Sequence, residues 1–174
     1  MYYISLIIIL FFYSCNNKEV EDSKSIHSYI DNEIKGEPVS IAIYNENIPS
    51  IKINSDNLHK HNEGNTLLFG GVYADLFDSE GIKTSEMYSD TAVIFENSDS
   101  VRANGNVIVE SVKGFKLHTH ELILYNNSKL VKSEGHIMFT TNDKDTLYGK
   151  GFWSNFDMSN SEILKPMGEF NNFK

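Results

Sequence analysis

The chain has 174 residues, with 15 Lys and Arg set against 24 Asp and Glu, for a formal net charge of -9. That length predicts one domain able to bury a sizeable core, and the acidic balance, with no basic stripe, excludes a nucleic-acid-binding protein. The single Cys excludes an internal disulfide and any zinc site built from several thiolates.

The first segment is apolar. Residues 1–14, MYYISLIIILFFYS, carry no charge, and Ile4–Tyr13 is a nearly unbroken apolar run. Ten or so residues make a helix of about 15 Å, whereas a membrane span needs about 20 residues. The run fits the apolar region of a signal peptide. Ser14-Cys15 and the polar NNKEVEDSKS follow at once. This order predicts a lipoprotein: a signal peptide over 1–14, Cys15 as the lipidated first residue, and a polar tether over 15–37.

Beyond Pro38 the pattern alternates with period two. Strands are predicted at 39–44 (VSIAIY) and 50–54 (SIKIN), followed by a polar loop over 54–65. Further strands are predicted at 67–77, 82–88, 91–96, 100–112, 115–125, 129–141, 146–155 and 161–166. Turn residues recur every 8–12 positions or so, and Val, Ile, Thr, Phe and Tyr dominate the runs. Ala103-Asn-Gly105-Asn-Val107-Ile-Val109 matches Ser133-Glu-Gly135-His-Ile137-Met-Phe139 at an offset of 30, which also sets Leu117 over Leu147 and Leu122 over Phe152. Such a repeat predicts stacked β-hairpins. The fold expected over 38–174 is all-β, an antiparallel sandwich, roll or barrel.

Alternation assigns faces. Val107, Val109, Leu117, Leu122, Leu124, Ile137, Phe139, Leu147 and Phe152 fall on apolar faces; Asn106, Glu110, Lys116, His118 and His136 fall opposite. In a closed sandwich the apolar set is core. His59-x-His61 and His118-x-His120 each set two imidazoles on one extended face, with Glu63 and Glu121 as the nearest further ligands. Two imidazoles without a third well-placed ligand point to solvent-facing residues, so no metal is expected. No Gly-x-Ser-x-Gly is present, and no helix follows Gly70-Gly71 or Gly149-x-Gly151, so catalytic and phosphate-binding readings find no motif and no cofactor is implied.

In order and spacing, the chain from about Leu67 to Phe170 resembles the LptC family, the periplasmic component of the lipopolysaccharide export ABC transporter. The resemblance rests on Gly81 with Thr84-Ser85-Glu86; on Ala103-Asn-Gly-Asn-Val107; on Gly114-x-x-Leu117-x-Thr119-x-Glu121-Leu122; and on Leu147-x-Gly149-x-Gly151-Phe152. It implies a β-jellyroll folded into an open groove, with lipid A acyl chains of lipopolysaccharide held inside. It implies LptF and LptG of the transporter as partners at one end and LptA at the other, at the periplasmic face of a Gram-negative inner membrane. Under that reading the nine apolar residues line the groove, and the sheet edges at 39–44 and 161–166 are the docking strands. Where the family's familiar form has a transmembrane helix, this chain has the lipoprotein-like segment, with Cys15 as membrane attachment. The alternative is a cell-surface or periplasmic β-sandwich lipoprotein that serves adhesion or structural support.

Overall fold

A computed structural model of the chain describes residues 32–34, 38–61 and 64–168. The predicted signal segment, Cys15 and most of the tether lie outside these residues. Among the described residues there are ten strands: β1 (Asn32–Ile34), β2 (Val39–Asn45), β3 (Ile48–Lys60), β4 (Asn65–Phe77), β5 (Lys83–Phe95), β6 (Ser100–Ser111), β7 (Lys116–Tyr125), β8 (Leu130–Thr140), β9 (Thr146–Asn155) and β10 (Ser161–Met167). They form one antiparallel sheet in the order β1-β3-β4-β5-β6-β7-β8-β9-β10, with β2 also paired to β3. Each strand from β3 on pairs with the next in sequence, so the hairpins lie side by side in a single open sheet.

Three local expectations change. The segment 54–60, read as loop, continues β3, because Asn57–Lys60 pair with Phe69–Thr66 of β4. The runs at 82–88 and 91–96 are one strand, β5, interrupted by a register shift between Tyr88 and Thr91. Asn32–Ile34, read as tether, pair with Lys60–Leu58 of β3.

Apart from shifts at Ile43/Tyr44 and Leu76/Phe77, the irregularities fall at the same level across the sheet. Register shifts occur between Ser55 and Asn57, Phe69 and Val72, Tyr88 and Thr91, Asn104 and Val107, Thr119 and Ile123, and Ser133 and His136. A bulge bends its strand and increases the local twist. A row of bulges therefore folds the whole sheet along one line, giving two leaves that share every long strand. At Gly105 the backbone has φ 76, and a Cβ there would lie 2.3 Å from Asp90 Oδ2. Only glycine meets both demands at this crossing.

The leaves face each other. Ser85 in the first-leaf half of β5 donates its Oγ hydrogen to the Phe156 carbonyl in the turn after β9. Ser111 Oγ donates to the Asp157 carbonyl at 2.7 Å. The core lies between the leaves in continuous cross-strand rows. In the first leaf Ile53, Ala74, Met87, Val109, Leu117 and Phe139 stand opposite one another on successive strands. In the second leaf Leu68, Ala92, Ala103 and Leu122 do the same. All of these residues are at most 5% exposed. Burying large apolar side chains contributes about 1.5–3 kcal/mol each, which is the main force closing the leaves.

Candidate functional site

The nine apolar residues singled out from the sequence lie on the inner rows of the two leaves. Val109, Leu117, Phe139 and Leu147 form consecutive members of one row. Leu122 and Phe152 belong to the second leaf, where they pair with Ala103 and Ser133. Val107, Leu124 and Ile137 fill neighbouring inner rows. Eight of the nine are sealed in the core, while Leu147 is 47% exposed. The register accounts for Leu147: β10 reaches only Tyr148 along β9, so no strand covers the residue before it. Phe139 sits at the centre of an aromatic file, 5.9 Å from the Phe115 ring and 5.2 Å from Phe152.

The inner surface is not closed everywhere. A cavity of about 450 Å³ opens between the leaves at the β2 edge. Its apolar wall comes from Ile41 and Ile43 of β2, Leu58 of β3, Ile94 of β5 and Val101 of β6. Ile41, Ile43, Leu58 and Ile94 are only partly buried, yet they pack against the core. At this opening they are the inner-face apolar residues with surface left to offer. The alternation of 39–44 already set Ile41 and Ile43 on one face. Leu58 was concealed inside a predicted loop, and Ile94 lay in a short strand to which no face was assigned.

The rim of the cavity is polar. Lys60 Nζ pairs with Glu96 Oε1 at 3.0 Å, with both side chains about half exposed. Such an exposed pair adds little stability. Asn126, 3% exposed, spans the mouth. Its amide donates to the Tyr44 carbonyl of β2 at 3.2 Å and to the Asp99 carboxylate at 2.9 and 3.1 Å. Asn45 Nδ2 adds a donation to the Asn127 carbonyl at 3.4 Å. The outer strand of the first leaf is thus clipped to the turns of the second by side-chain amides, with no strand ladder joining them.

An apolar slot with one open side attracts hydrocarbon without directional contacts, by about 25 cal/mol per Å² of apolar surface removed from water. Its volume falls within the range of about 300–1,000 Å³ usual for ligand sites. Hydroxyls at inner positions are satisfied locally: Thr119 Oγ1 lies 3.0 Å from Ser133 Oγ, and Ser154 Oγ bonds the Asn160 carbonyl at 3.0 Å. At the cavity itself the Asn126 amide nitrogen is engaged, while its buried Oδ1 has no hydrogen-bond partner.

Apart from Lys60, Glu96 and Asp99 at its rim, charged groups lie outside this slot. On the outer face Lys83 Nζ contacts Asp75 at 2.6 Å and Glu86 at 2.5 Å, and donates to the Tyr73 hydroxyl at 3.2 Å. Burial and the hydrogen bond to Asp75 push the Tyr73 hydroxyl up to about 12. Burial works to raise Asp75, but the hydrogen bonds from Lys83 and Tyr73 outweigh it and hold its carboxyl below the usual value. These are ion-pair and hydrogen-bond effects of a surface network. The His59 and His61 rings lean on each other with centroids 4.5 Å apart. His118 is half-buried on the outer face and His120 is exposed. Among the described residues no group of three or more His, Cys, Asp or Glu is placed to hold a metal ion, and no helix is long and apolar enough to cross a membrane.

No curated protein matches the chain in sequence. A family model described as lipopolysaccharide-assembly, LptC-related, matches residues 2–166. The match assigns the chain a role in lipopolysaccharide transport, within a family of transport components that act at the periplasmic side of the Gram-negative inner membrane. An open antiparallel sheet folded into two apolar-faced leaves, together with a match over nearly the whole sequence, makes the chain a member of the LptC-related family.

Proposed function

We propose that this protein carries lipopolysaccharide by holding the acyl chains of lipid A between its two leaves. The observation that carries this reading is the apolar cavity at the β2 edge, whose walls continue into the inner rows. Ile41, Ile43, Leu58 and Ile94 receive the first part of a chain. Val107, Val109, Leu117, Leu122, Leu124, Ile137, Phe139, Leu147 and Phe152 form the deeper lining that a parting of the leaves makes available. A hydrocarbon chain slides along such a wall with no hydrogen bonds to break, which suits a carrier. The energy for movement comes from the ATPase of the transporter.

The open sheet leaves β1 and β2 at one end and β10 at the other with unpaired edges. Exposed edges pair with strands of other chains. In this reading one edge meets LptF and LptG and the other meets LptA, so that the grooves join into a bridge. Pro166 in β10 fits a terminal strand, because it has no N–H to donate. Cys15, acylated, holds the chain at the membrane.

Site-specific photocrosslinking tests the groove. Crosslinkers at Ile43, Ile94 and Phe139 are expected to capture lipopolysaccharide, and crosslinkers at Glu110 and Lys116, on the outer face, are not. Equal capture on both faces refutes the groove.

A further inference from the structure

The two leaves meet again along the line of their turns, and this seam is held unequally. Toward β9, Ser85 and Ser111 donate across it to the Phe156 and Asp157 carbonyls, and Lys113 Nζ pairs with Asp157 Oδ2 at 2.5 Å. At the β2 end, among the described residues, two neutral hydrogen bonds cross: Asn126 Nδ2 to the Tyr44 carbonyl at 3.2 Å and Asn45 Nδ2 to the Asn127 carbonyl at 3.4 Å. Bonds between neutral groups are the weaker kind. Both are made by the tip of the β2–β3 hairpin, residues 44–50, and this tip has a hinge. The β2–β3 register shifts between Ile43 and Tyr44, away from the fold line of the sheet. Pro49, opposite Tyr44, has no N–H to give to the ladder.

The seat of the tip is poorly filled. On one side is the cavity of about 450 Å³, whose lining includes Ile43 and Asn126. On the other is a second cavity of about 200 Å³, lined by Asn45, Glu46 and Ile48 of the tip, by Ser79, and by Asn127 and Lys129 of the β7–β8 turn. Three buried polar atoms of the tip and its seat make no hydrogen bond: Ser50 Oγ, Asn126 Oδ1 and Lys129 Nζ. Turning the Asn126 amide over does not help, because its oxygen would then meet the Tyr44 carbonyl and the Asp99 carboxylate. The Lys129 ammonium faces the Phe156 ring at 6.0 Å and feels the Asp78 and Asp99 charges, without a hydrogen bond to either. A buried polar group left unpaired costs more than a neutral hydrogen bond returns. Closing the tip therefore gains little, and lifting it hydrates Asn126 and Lys129.

We propose that residues 44–50 are a flap that lifts from the β7–β8 turn about the Ile43–Tyr44 shift, opening the seam at its β2 end while the β9 end stays shut. Lifting joins the two cavities into one lateral mouth. An acyl chain then enters sideways with its headgroup in water, so the inference deepens the transport reading and rests on it for what enters. The β2 edge over 39–43 is not displaced and stays available for docking.

The experiment uses the full chain, in which Cys15→Ser leaves no thiol. Nitroxide labels are placed at Glu46→Cys and Ser128→Cys across the flap, or at Val112→Cys and Ser159→Cys across the β9 part of the seam; all four positions are exposed. In ligand-free protein, pulsed electron paramagnetic resonance is expected to find a second, longer distance for about a tenth of the 46–128 pairs, and a single distance for the 112–159 pairs. Lys129→Met, which leaves no ammonium to bury, is expected to remove most of the longer population. A single distance at both pairs, an equal longer population at both, or one that Lys129→Met leaves unchanged overturns the proposal. A short bis-maleimide then links the two introduced thiols across the flap. Capture of lipopolysaccharide by a photocrosslinker at Ile94 is expected to fall about ten-fold relative to the same variant capped with N-ethylmaleimide, since a linked flap opens only by wider unfolding. Equal capture in the linked and capped forms overturns the role in entry. No capture in either form, with the longer distance present, refutes the transport reading and leaves the flap supported.

Discussion

Phe139 and Leu147 face each other in the β8–β9 ladder, yet the structure places them in different environments. Phe139 is 5% exposed and Leu147 is 47% exposed. Truncating Phe139 to Ala removes a ring packed between Phe115 and Phe152. A buried Phe→Ala change costs about 3–5 kcal/mol, through lost transfer energy and the cavity left behind. Against a total stability of about 5–15 kcal/mol, this is a large fraction, and the melting temperature falls by about 10 °C or more. Leu147→Ala gives up only part of the roughly 1.5–3 kcal/mol of a fully buried leucine, so a loss below about 1 kcal/mol is expected. Urea unfolding of the compact unit, residues 31–174, followed by far-ultraviolet circular dichroism, separates the two provided the slope with urea stays constant. A loss below about 1 kcal/mol for Phe139→Ala refutes the packed arrangement, because it means that the leaves stand apart in solution and Phe139 already faces an open slot.

Asn126→Ala removes the amide that holds β2 to the second leaf through Tyr44 and Asp99. The bond that reaches β2 is to the neutral Tyr44 carbonyl and is worth about 0.5–1.5 kcal/mol, so amide hydrogen exchange over Val39–Asn45 should accelerate while β6–β8 stay protected; unchanged exchange in β2 rules out the clip. His118 has its pKa lowered from 6.5, first by burial and then by Lys116, with Glu110 opposing. The folded state thus favours the neutral imidazole, and the stability this represents is complete above the unfolded value and declines as pH falls through it toward the lower folded value. Unfolding free energies measured between pH 7.5 and 5.5, below which carboxylates take over, should fall less steeply for His118→Gln (both pH limits are chosen to bracket roughly one unit about the unperturbed value); an identical slope shows that His118 is not the group responsible.

Much of the framework was legible in the sequence because its causes are local. The runs at 39–44, 146–155 and 161–166 became β2, β9 and β10 almost to the residue, since period-two alternation and turn residues act over a few positions. The repeat at an offset of 30 is a true repeat of register: Val109 faces Leu117 as Phe139 faces Leu147, and Ala103 faces Leu122 as Ser133 faces Phe152. An apolar inner face could be read before any tertiary structure. Alternation failed across the bulges, where β5 passes from buried Ser85, Met87 and Ser89 to buried Ala92 and so changes phase. Those phase changes fold the sheet into leaves, and they depend on crowding such as that between Gly105 and Asp90, residues 15 apart in sequence.

The tertiary structure alone decided which inner residues are sealed and which line a cavity. Ile43 and Val109 have the same chemistry and the same alternation, but Val109 lies beneath the opposite leaf whereas Ile43 sits at its margin. Exposure at that margin is set by how far each strand reaches over its neighbour, and by amide clips between residues such as Asn126 and Tyr44 that are 82 positions apart. The sequence determined the strands, their pairing order and the apolar face. The fold line and the overlap of the leaves, which are long-range properties of the folded sheet, determined where that face remains open.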